Sequence, residues 1–345
     1  MMAKDGFQRL KDESDNYEQT VLAIISFAHL LRYDDSKKEF LPDSLFFIGR
    51  KMDTSPNNRI SPKKNVTPDL ILQLNPNYGI VGEVKKSLPQ NQEFWKKYFK
   101  QLQKYDDDLK GWKTINETIK KIDLVFLTDY LLKSEVLEYI KQKTQSGEFK
   151  IDNNFCIVTF ARLHQAHEKF TFENISGKFS DRGTNEILKI GAPRPMIIEE
   201  LLEYNKDFTV KFYDSPPPLP YMMMILWDNI FSNVRTVEQY VDEKGKKQQK
   251  FEVNIDILTH ELQEKFAHID NHDSRQKKVP ERDWVKKAME EFVRLRYAEN
   301  KIGEKNSYIV KKRFIKDPLD RFCKEVDKGL SKRLGSVQKT LEKWT

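Results

Sequence analysis

Apolar residues recur at helical spacing over residues 17–32, "YEQTVLAIISFAHLLR", where Val21, Ile24, Ile25, Ala28 and Leu31 fall on one side. This predicts an amphipathic helix with Glu18 in its first turn. "SLFFIGRK" then has the composition of a strand, and the polar loop "MDTSPNNRISPKKNV" follows it. The stretch from Thr67 to Ser87, "TPDLILQLNPNYGIVGEVKKS", holds two apolar runs connected by "NPNYG", the pattern of a β-hairpin. A helix is expected from Gln92 to about Leu109, and strands at "IDLVFLTD" and "FCIVTFAR" with the helical "KSEVLEYIKQKTQ" between them. Strand and helix alternate, which predicts an α/β layer around a mixed sheet.

"FYDSPPPLPY" carries four prolines within five positions, a stiff extended element that is not expected to join a helix and that marks a boundary. Beyond it, "YMMMILWDNIF", "NIDILTHELQEKFA" and "ERDWVKKAMEEFVRLRYAEN" have helical periodicity, and "KIGEKNSYIVKKRF" follows as a strand or hairpin with a basic end. The expected organisation is an α/β domain over 1–212, a proline-rich linker over 213–220 and a basic, mainly helical domain over 221–345.

Length and composition agree with a folded protein of two domains. Of 345 residues, 38 % are hydrophobic and 12 % aromatic, too many rings for a disordered chain in which 33 % of positions are charged. The formal charge is +7, and six of those seven excess charges lie after Asp214, which favours a polyanionic partner for the C-terminal part. Cys156 and Cys323 are too few and too far apart for a disulfide framework or a zinc ribbon. The polar start lacks the apolar core of a secretory signal, and the run from Val21 to Leu31 is too short to span a bilayer. A cytoplasmic protein with no membrane partner is expected. "GxxxxGK[ST]" does not occur, which argues against an ATP-driven activity. His164, His167, His260, His268 and His272 lack the spacing of a metal site and are expected to be isolated; Met222 to Met224 are expected in the core.

The hairpin places Asp69, Glu83 and Lys85 inside its apolar runs. Side chains alternate along a strand, so Glu83 and Lys85 share a face. A hairpin symmetric about Asn77 would set Asp69 opposite Lys85 and Ile71 opposite Glu83. Two neighbouring carboxylates repel each other unless a divalent cation uses their oxygens, and magnesium suits such hard ligands. A lysine beside them can hold or deprotonate an attacking water, or stabilise charge growing on a phosphoryl group. The alternative is a solvated hairpin face with an ordinary cross-strand ion pair.

Pro68-Asp69, thirteen residues, then Glu83-Val84-Lys85 resembles the signature of the PD-(D/E)XK nuclease superfamily, which includes restriction endonucleases, RecB-like exonucleases and antiviral nucleases. The resemblance implies a restriction-endonuclease-like core: a mixed β-sheet flanked by helices. It also implies that Asp69 and Glu83 ligate Mg2+, with Mn2+ as substitute, while Lys85 assists hydrolysis. Glu18 matches the N-terminal helix acid that many members aim at the metal. Gln101 and Tyr105 resemble the Gln-x-x-x-Tyr motif of RecB-like members; four apart on a helix, they share a face.

After the boundary, three helices and a basic strand resemble a winged helix-turn-helix, in which the third helix enters a major groove and the wing touches phosphates. Trp284, Ala288, Phe292 and Leu295 form its expected buried stripe. Lys286, Lys287 and Arg294 on the helix, with Lys311, Lys312 and Arg313 on the wing, are the expected nucleic-acid contacts, although Glu290 and Glu291 oppose that assignment; a helical packing module is the other reading. The expected function is a metal-dependent endonuclease, a phosphodiester hydrolase acting on DNA in restriction or anti-phage defence, as a homodimer or with a defence-system partner protein. The alternative is a catalytically idle, nuclease-fold regulatory protein that binds DNA through its C-terminal domain. A third expectation is an effector nuclease that stays silent until a partner or signal binds.

Overall fold

The structure, a computed structural model, describes residues 6–312 apart from 35, 56–63, 107, 115–116, 165–167, 198–208, 232–233, 235–237, 242–244, 246 and 267–273. The chain forms two compact units, residues 18–214 with 266–279, and residues 1–17 with 215–265 and 280–345. The first unit therefore receives a segment from beyond the proline-rich boundary, and the second receives the chain's start. Neither exchange is visible in a division at 212 and 221.

In the first unit, β1 (Tyr33–Asp34) and β2 (Glu39–Phe40) form a short ribbon after α1 (Gly6–Arg32). The main sheet is built from β3 (Leu45–Phe47), β6 (Leu70–Asn75), β7 (Tyr78–Lys85), β9 (Lys121–Asp129), β10 (Asn154–His164), β11 (Glu168–Ser176) and β12 (Arg194–Ile197), in the order β12-β11-β10-β9-β7-β6-β3. A smaller sheet joins β4 (Met52–Ser55), β5 (Lys64–Val66) and β8 (Asp108–Lys110). The three central strands β7, β9 and β10 run parallel, and the outer pairings are antiparallel. Central strands of this kind need cover on both faces, and β7 and β9 are buried along nearly their whole length.

One face is covered by α1, whose stretch from Val21 to Leu31 is buried and whose Phe27 ring lies 5.5 Å from Phe172. The other face is covered by α2 (Lys96–Tyr105), entered through a 3-10 turn at Gln92–Trp95, and by α3 (Lys133–Gln145). Phe99 of α2 sits 5.1 Å from Phe126 of β9 and 5.1 Å from Tyr139 of α3. With Leu102 and Tyr105 it forms the apolar stripe of α2, which packs on Ile71, Val81, Leu124 and Phe126. A short α4 (Arg182–Ile187) is capped by Asp181.

In the second unit, α5 (Leu219–Ile225) runs into a π turn at Leu226–Ile230. Next come β13 (Glu238–Val241), β14 (Lys247–Asn254), α6 (Ile255–Phe266), α7 (Arg282–Arg294), β15 (Ala298–Asn300) and β16 (Ser307–Lys312). The strands form one antiparallel sheet in the order β13-β14-β16-β15. Phe231, Phe251 and Phe292 meet in its core, with Phe231 5.5 Å from Phe251 and 5.6 Å from Phe292.

The mixed α/β architecture agrees with the sequence reading, and several details differ from it: the stretch read as a polar loop over 52–66 contains β4 and β5. The first helix begins at Gly6, so Glu18 lies in its middle and not in its first turn. The helix expected to reach Leu109 ends at Tyr105, and Leu109 belongs to β8. Pro220 sits within the first turn of α5, where a missing N–H leaves no hydrogen bond unmade, so the proline segment does join a helix. The described helices of 221–345 are accompanied by a four-stranded sheet, of which the sequence reading anticipated only the strand or hairpin at 301–314. In β14, Phe251 and Val253 are buried and Glu252 between them is exposed, a period of two that polar neighbours obscure. Among the described residues no helix is long and apolar enough to cross a membrane.

Removing the ring that locks α2 to the sheet should be costly. Phe99→Ala is expected to lower unfolding stability by about 3–5 kcal/mol, measured by urea titration; a loss below about 1 kcal/mol would show that α2 docks by other contacts.

Candidate active site

The β6-β7 hairpin turns tightly at Pro76-Asn77, with an irregularity between Gln73 and Asn75. Asn75 stabilises the turn, its side-chain oxygen accepting the Asn77 N–H at 2.9 Å. Leu70 therefore pairs with Gly82 and Ile71 with Val81. The register is two residues away from the one expected from symmetry about Asn77, and Asp69 comes level with Glu83 instead of Lys85. The face is unchanged, because a shift of two preserves alternation.

The three side chains converge. Lys85 Nζ lies 2.8 Å from Asp69 Oδ2 and 2.6 Å from Glu83 Oε1. One ammonium shared in this way fixes the two carboxylate oxygens within roughly 5 Å of each other. Asp69 Oδ2 also accepts the Val84 N–H at 2.9 Å, so the side chain takes the place of a ladder bond at the open end of the hairpin. Asp69 is 5 % exposed and Glu83 3 %, which excludes a solvated hairpin face.

The helix across from the hairpin completes the arrangement. The Tyr105 hydroxyl donates to Glu83 Oε2 at 2.9 Å, and the Gln101 amide donates to the Tyr105 hydroxyl at 2.8 Å. Gln101 and Tyr105 thus form a relay into the cluster, and Gln101 orients the tyrosine without touching a charge. Tyr98, one turn earlier on the same face of α2, presents its ring 5.4 Å from Lys85 Nζ. Its place could have been read from spacing alone, since residues 98, 101 and 105 share a helical face. Lys86, the residue after β7, pairs with Asp129 at 2.5 Å, and Lys133 pairs with Glu173 at 2.8 Å; the sequence reading identified neither pair.

Two carboxylates and one ammonium leave an excess of negative charge in a buried place. Burial and the neighbouring Asp69 charge raise the Glu83 pKa to about 7, against the opposing pull of Lys85 and Tyr105. For Lys85, burial acts to lower the pKa, and the two carboxylates outweigh it and raise it. Burial, then the charges of Glu83 and Asp69, raises the Tyr105 pKa, so its hydroxyl remains a donor.

Asp69 and Glu83 could hold a hard cation. Among the described residues no group of three or more His, Cys, Asp or Glu side chains is placed to hold a metal. Magnesium needs fewer, because one or two carboxylates commonly hold it and water and phosphate oxygens complete the shell. The unfavourable excess charge is the condition that a bound cation relieves.

The remaining expected residues are placed differently. No described hydrogen bond or ion pair joins Glu18 to Asp69, Glu83 or Lys85. On α7, Arg294 is held by Glu291, with Nε–Oε1 at 2.7 Å, and Lys286 lies 3.8 Å from Glu290. Lys287 is exposed and has no carboxylate partner among the described contacts. Lys311 pairs with Glu299 at 2.5 Å, Lys312 ends β16, and Arg313 lies outside the described residues. His260 is exposed beside Glu264 at 3.2 Å, away from any metal group. His167, His268, His272 and Cys323 also lie outside the described residues. Compared with known protein families, curated proteins and solved structures, the chain finds no match.

The raised Glu83 pKa has a thermodynamic consequence. Between pH 4.5, its ordinary value, and about pH 7, the folded protein keeps a proton that the unfolded chain has released. The contribution of Glu83 to stability therefore declines as pH rises through that window, by about 3 kcal/mol in total without added metal. Urea unfolding in EDTA at pH 5 and pH 7.5 should show this decline in the wild type and a smaller one in Glu83→Gln. Equal slopes in the two proteins would show that Glu83 is not the titrating group.

Proposed function

We propose that this chain is a magnesium-dependent nuclease that hydrolyses phosphodiester bonds in DNA. The observation that carries the proposal is the Lys85 ammonium held between two buried carboxylates, Asp69 and Glu83. With both acids ionised, the three side chains sum to a charge of −1. A divalent cation would change that to +1, and the single negative charge of a phosphodiester would bring the site to neutrality. The unmatched acid thus becomes balanced when both cation and substrate are present.

Asp69 and Glu83 would hold the ion, which supplies charge neutralisation at the scissile phosphate and a more acidic water. Asp69 is pinned for this task by the Val84 N–H, and Glu83 by the Tyr105 hydroxyl, so both oxygens are preorganised. An ammonium has three N–H donors, and two of those on Lys85 face the carboxylates. The third is left for a water or a phosphate oxygen. Lys85 then orients the nucleophile and stabilises developing negative charge; this role agrees with a raised pKa better than proton abstraction does.

The arrangement supports the resemblance to PD-(D/E)XK nucleases: acids and lysine at the hairpin, Gln101 and Tyr105 on the following helix, and a mixed central sheet. In the second unit, the chain order α5, β14, α6, α7, β15, β16 with sheet order β14-β16-β15 supports a winged helix-turn-helix reading, with α7 as groove helix and β15-β16 as wing. The ion pairs of Lys286, Arg294 and Lys311 with local acids favour a second reading for that unit, a packing or regulatory module with few free charges for phosphate.

Plasmid cleavage in magnesium and in EDTA tests the proposal. Asp69→Ala, Glu83→Ala and Lys85→Ala are each expected to reduce magnesium-dependent cleavage at least about 100-fold while circular dichroism stays native. Calorimetric titration with manganese should show heat that disappears in Asp69→Ala. Full activity in any of the three variants would remove the mechanism.

A further inference from the structure

The carboxyl edge of the main sheet carries more than the charged cluster. β7 and β9 run parallel with Lys85 opposite Thr128, and β10 is level with them through Phe160 opposite Asp129, so the chain leaves all three strands at one edge. Four of the eight large apolar side chains exposed among the described residues emerge there: Phe94, Tyr130, Leu131 and Leu163. Phe94 is 56 % exposed and stands one turn before Tyr98, the ring that faces Lys85. Tyr130 is 48 % exposed and directly follows Asp129, the partner of Lys86. Leu131 is next, at 86 %.

Lysines are interleaved with these rings. Lys97 Nζ lies 4.8 Å from the Tyr98 ring and Lys133 Nζ 5.6 Å from the Tyr130 ring. Lys97 is exposed with no carboxylate partner among the described contacts. Lys133 is shared with Glu173, whereas Lys97 is free for a phosphate, and flat apolar faces beside such an ammonium match a polynucleotide strand, whose bases stack on rings while its phosphates meet positive charge. Bases inside a duplex have both faces covered by neighbouring pairs. Apart from the two end pairs of a duplex, only an unpaired base can use a solvent-facing aromatic ring.

We infer that Phe94 and Tyr130 form a stacking platform for unpaired nucleotides, so that the site receives single-stranded DNA in preference to intact duplex. The assignment to DNA rests on the proposed nuclease function; the preference for unpaired bases rests on the exposed rings. Binding is measured apart from cleavage, by fluorescence anisotropy in EDTA. The probes are a labelled oligothymidine of about 15 nucleotides, the matching oligouridine and a blunt duplex of the same length. The wild type is expected to bind the DNA strand at least about tenfold more tightly than the duplex. Phe94→Ala and Tyr130→Ala should each weaken strand binding about fivefold or more, with duplex binding and melting temperature unchanged, because both rings are exposed.

Equal affinity for strand and duplex, or unchanged strand binding in both variants, would overturn the platform. Tighter binding of the oligouridine would overturn the assignment to DNA. A wild type that cleaves plasmid with magnesium but shows no strand preference sinks the platform and leaves the nuclease reading intact. Selective strand binding without magnesium-dependent cleavage has the opposite result.

Discussion

One ammonium shared by two buried carboxylates is the constraint around which the first unit is arranged. Moving a charged group out of water costs several kcal/mol even after relaxation, so three such groups at one end of a hairpin require close partners and hydrogen-bond donors. The hairpin supplies the Val84 N–H to Asp69, and α2 supplies the Tyr105 hydroxyl to Glu83. Neither would suffice alone. The helix must also lie flat on the sheet for Tyr105 to reach, and the Phe99–Phe126 and Phe99–Tyr139 contacts hold it there.

Apolar packing and polar chemistry are therefore two consequences of one helical periodicity. Phe99, Leu102 and Tyr105 face the core, and Tyr98, Gln101 and Tyr105 face the cluster. Tyr105 belongs to both sets, burying its ring in the core and directing its hydroxyl at Glu83. A shift of one residue along α2 would remove both roles at once. This coupling makes the position of the tyrosine as informative as that of the acids.

Much of this was legible because charges inside apolar runs are conspicuous. Asp69, Glu83 and Lys85 stand out at the level of residue type, and alternation alone puts Glu83 and Lys85 on one face. The register was not legible, since it depends on a two-residue turn and an irregularity at Gln73 to Asn75 that many hairpin sequences could replace with a longer loop. Glu18 shows the limit of helix-start rules: polar residues before Tyr17 continue the helix back to Gly6, so a first-turn position inferred from where hydrophobicity begins was misplaced. In the second unit, β13 and β14 went unseen because their sequences, EQYV and KQQKFEVN, are mostly polar, leaving only Phe251 and Val253 to mark the period.

The same sheet edge contains an internal comparison that bears on purpose. Lys86 has one carboxylate partner, Asp129, and Lys133 has one, Glu173. Each pair is balanced, as an ion pair that merely joins elements should be. Lys85 has two, and burial together with the surplus acid lifts the Glu83 pKa to about 7. Selection for stability alone would favour a neutral side chain at one of those acids, because an uncompensated buried charge is costly and apolar replacement of such groups is often stabilising. An imbalance confined to one of three neighbouring lysines, at the point where two strands and a helix converge, is the feature on which the proposed cation site rests.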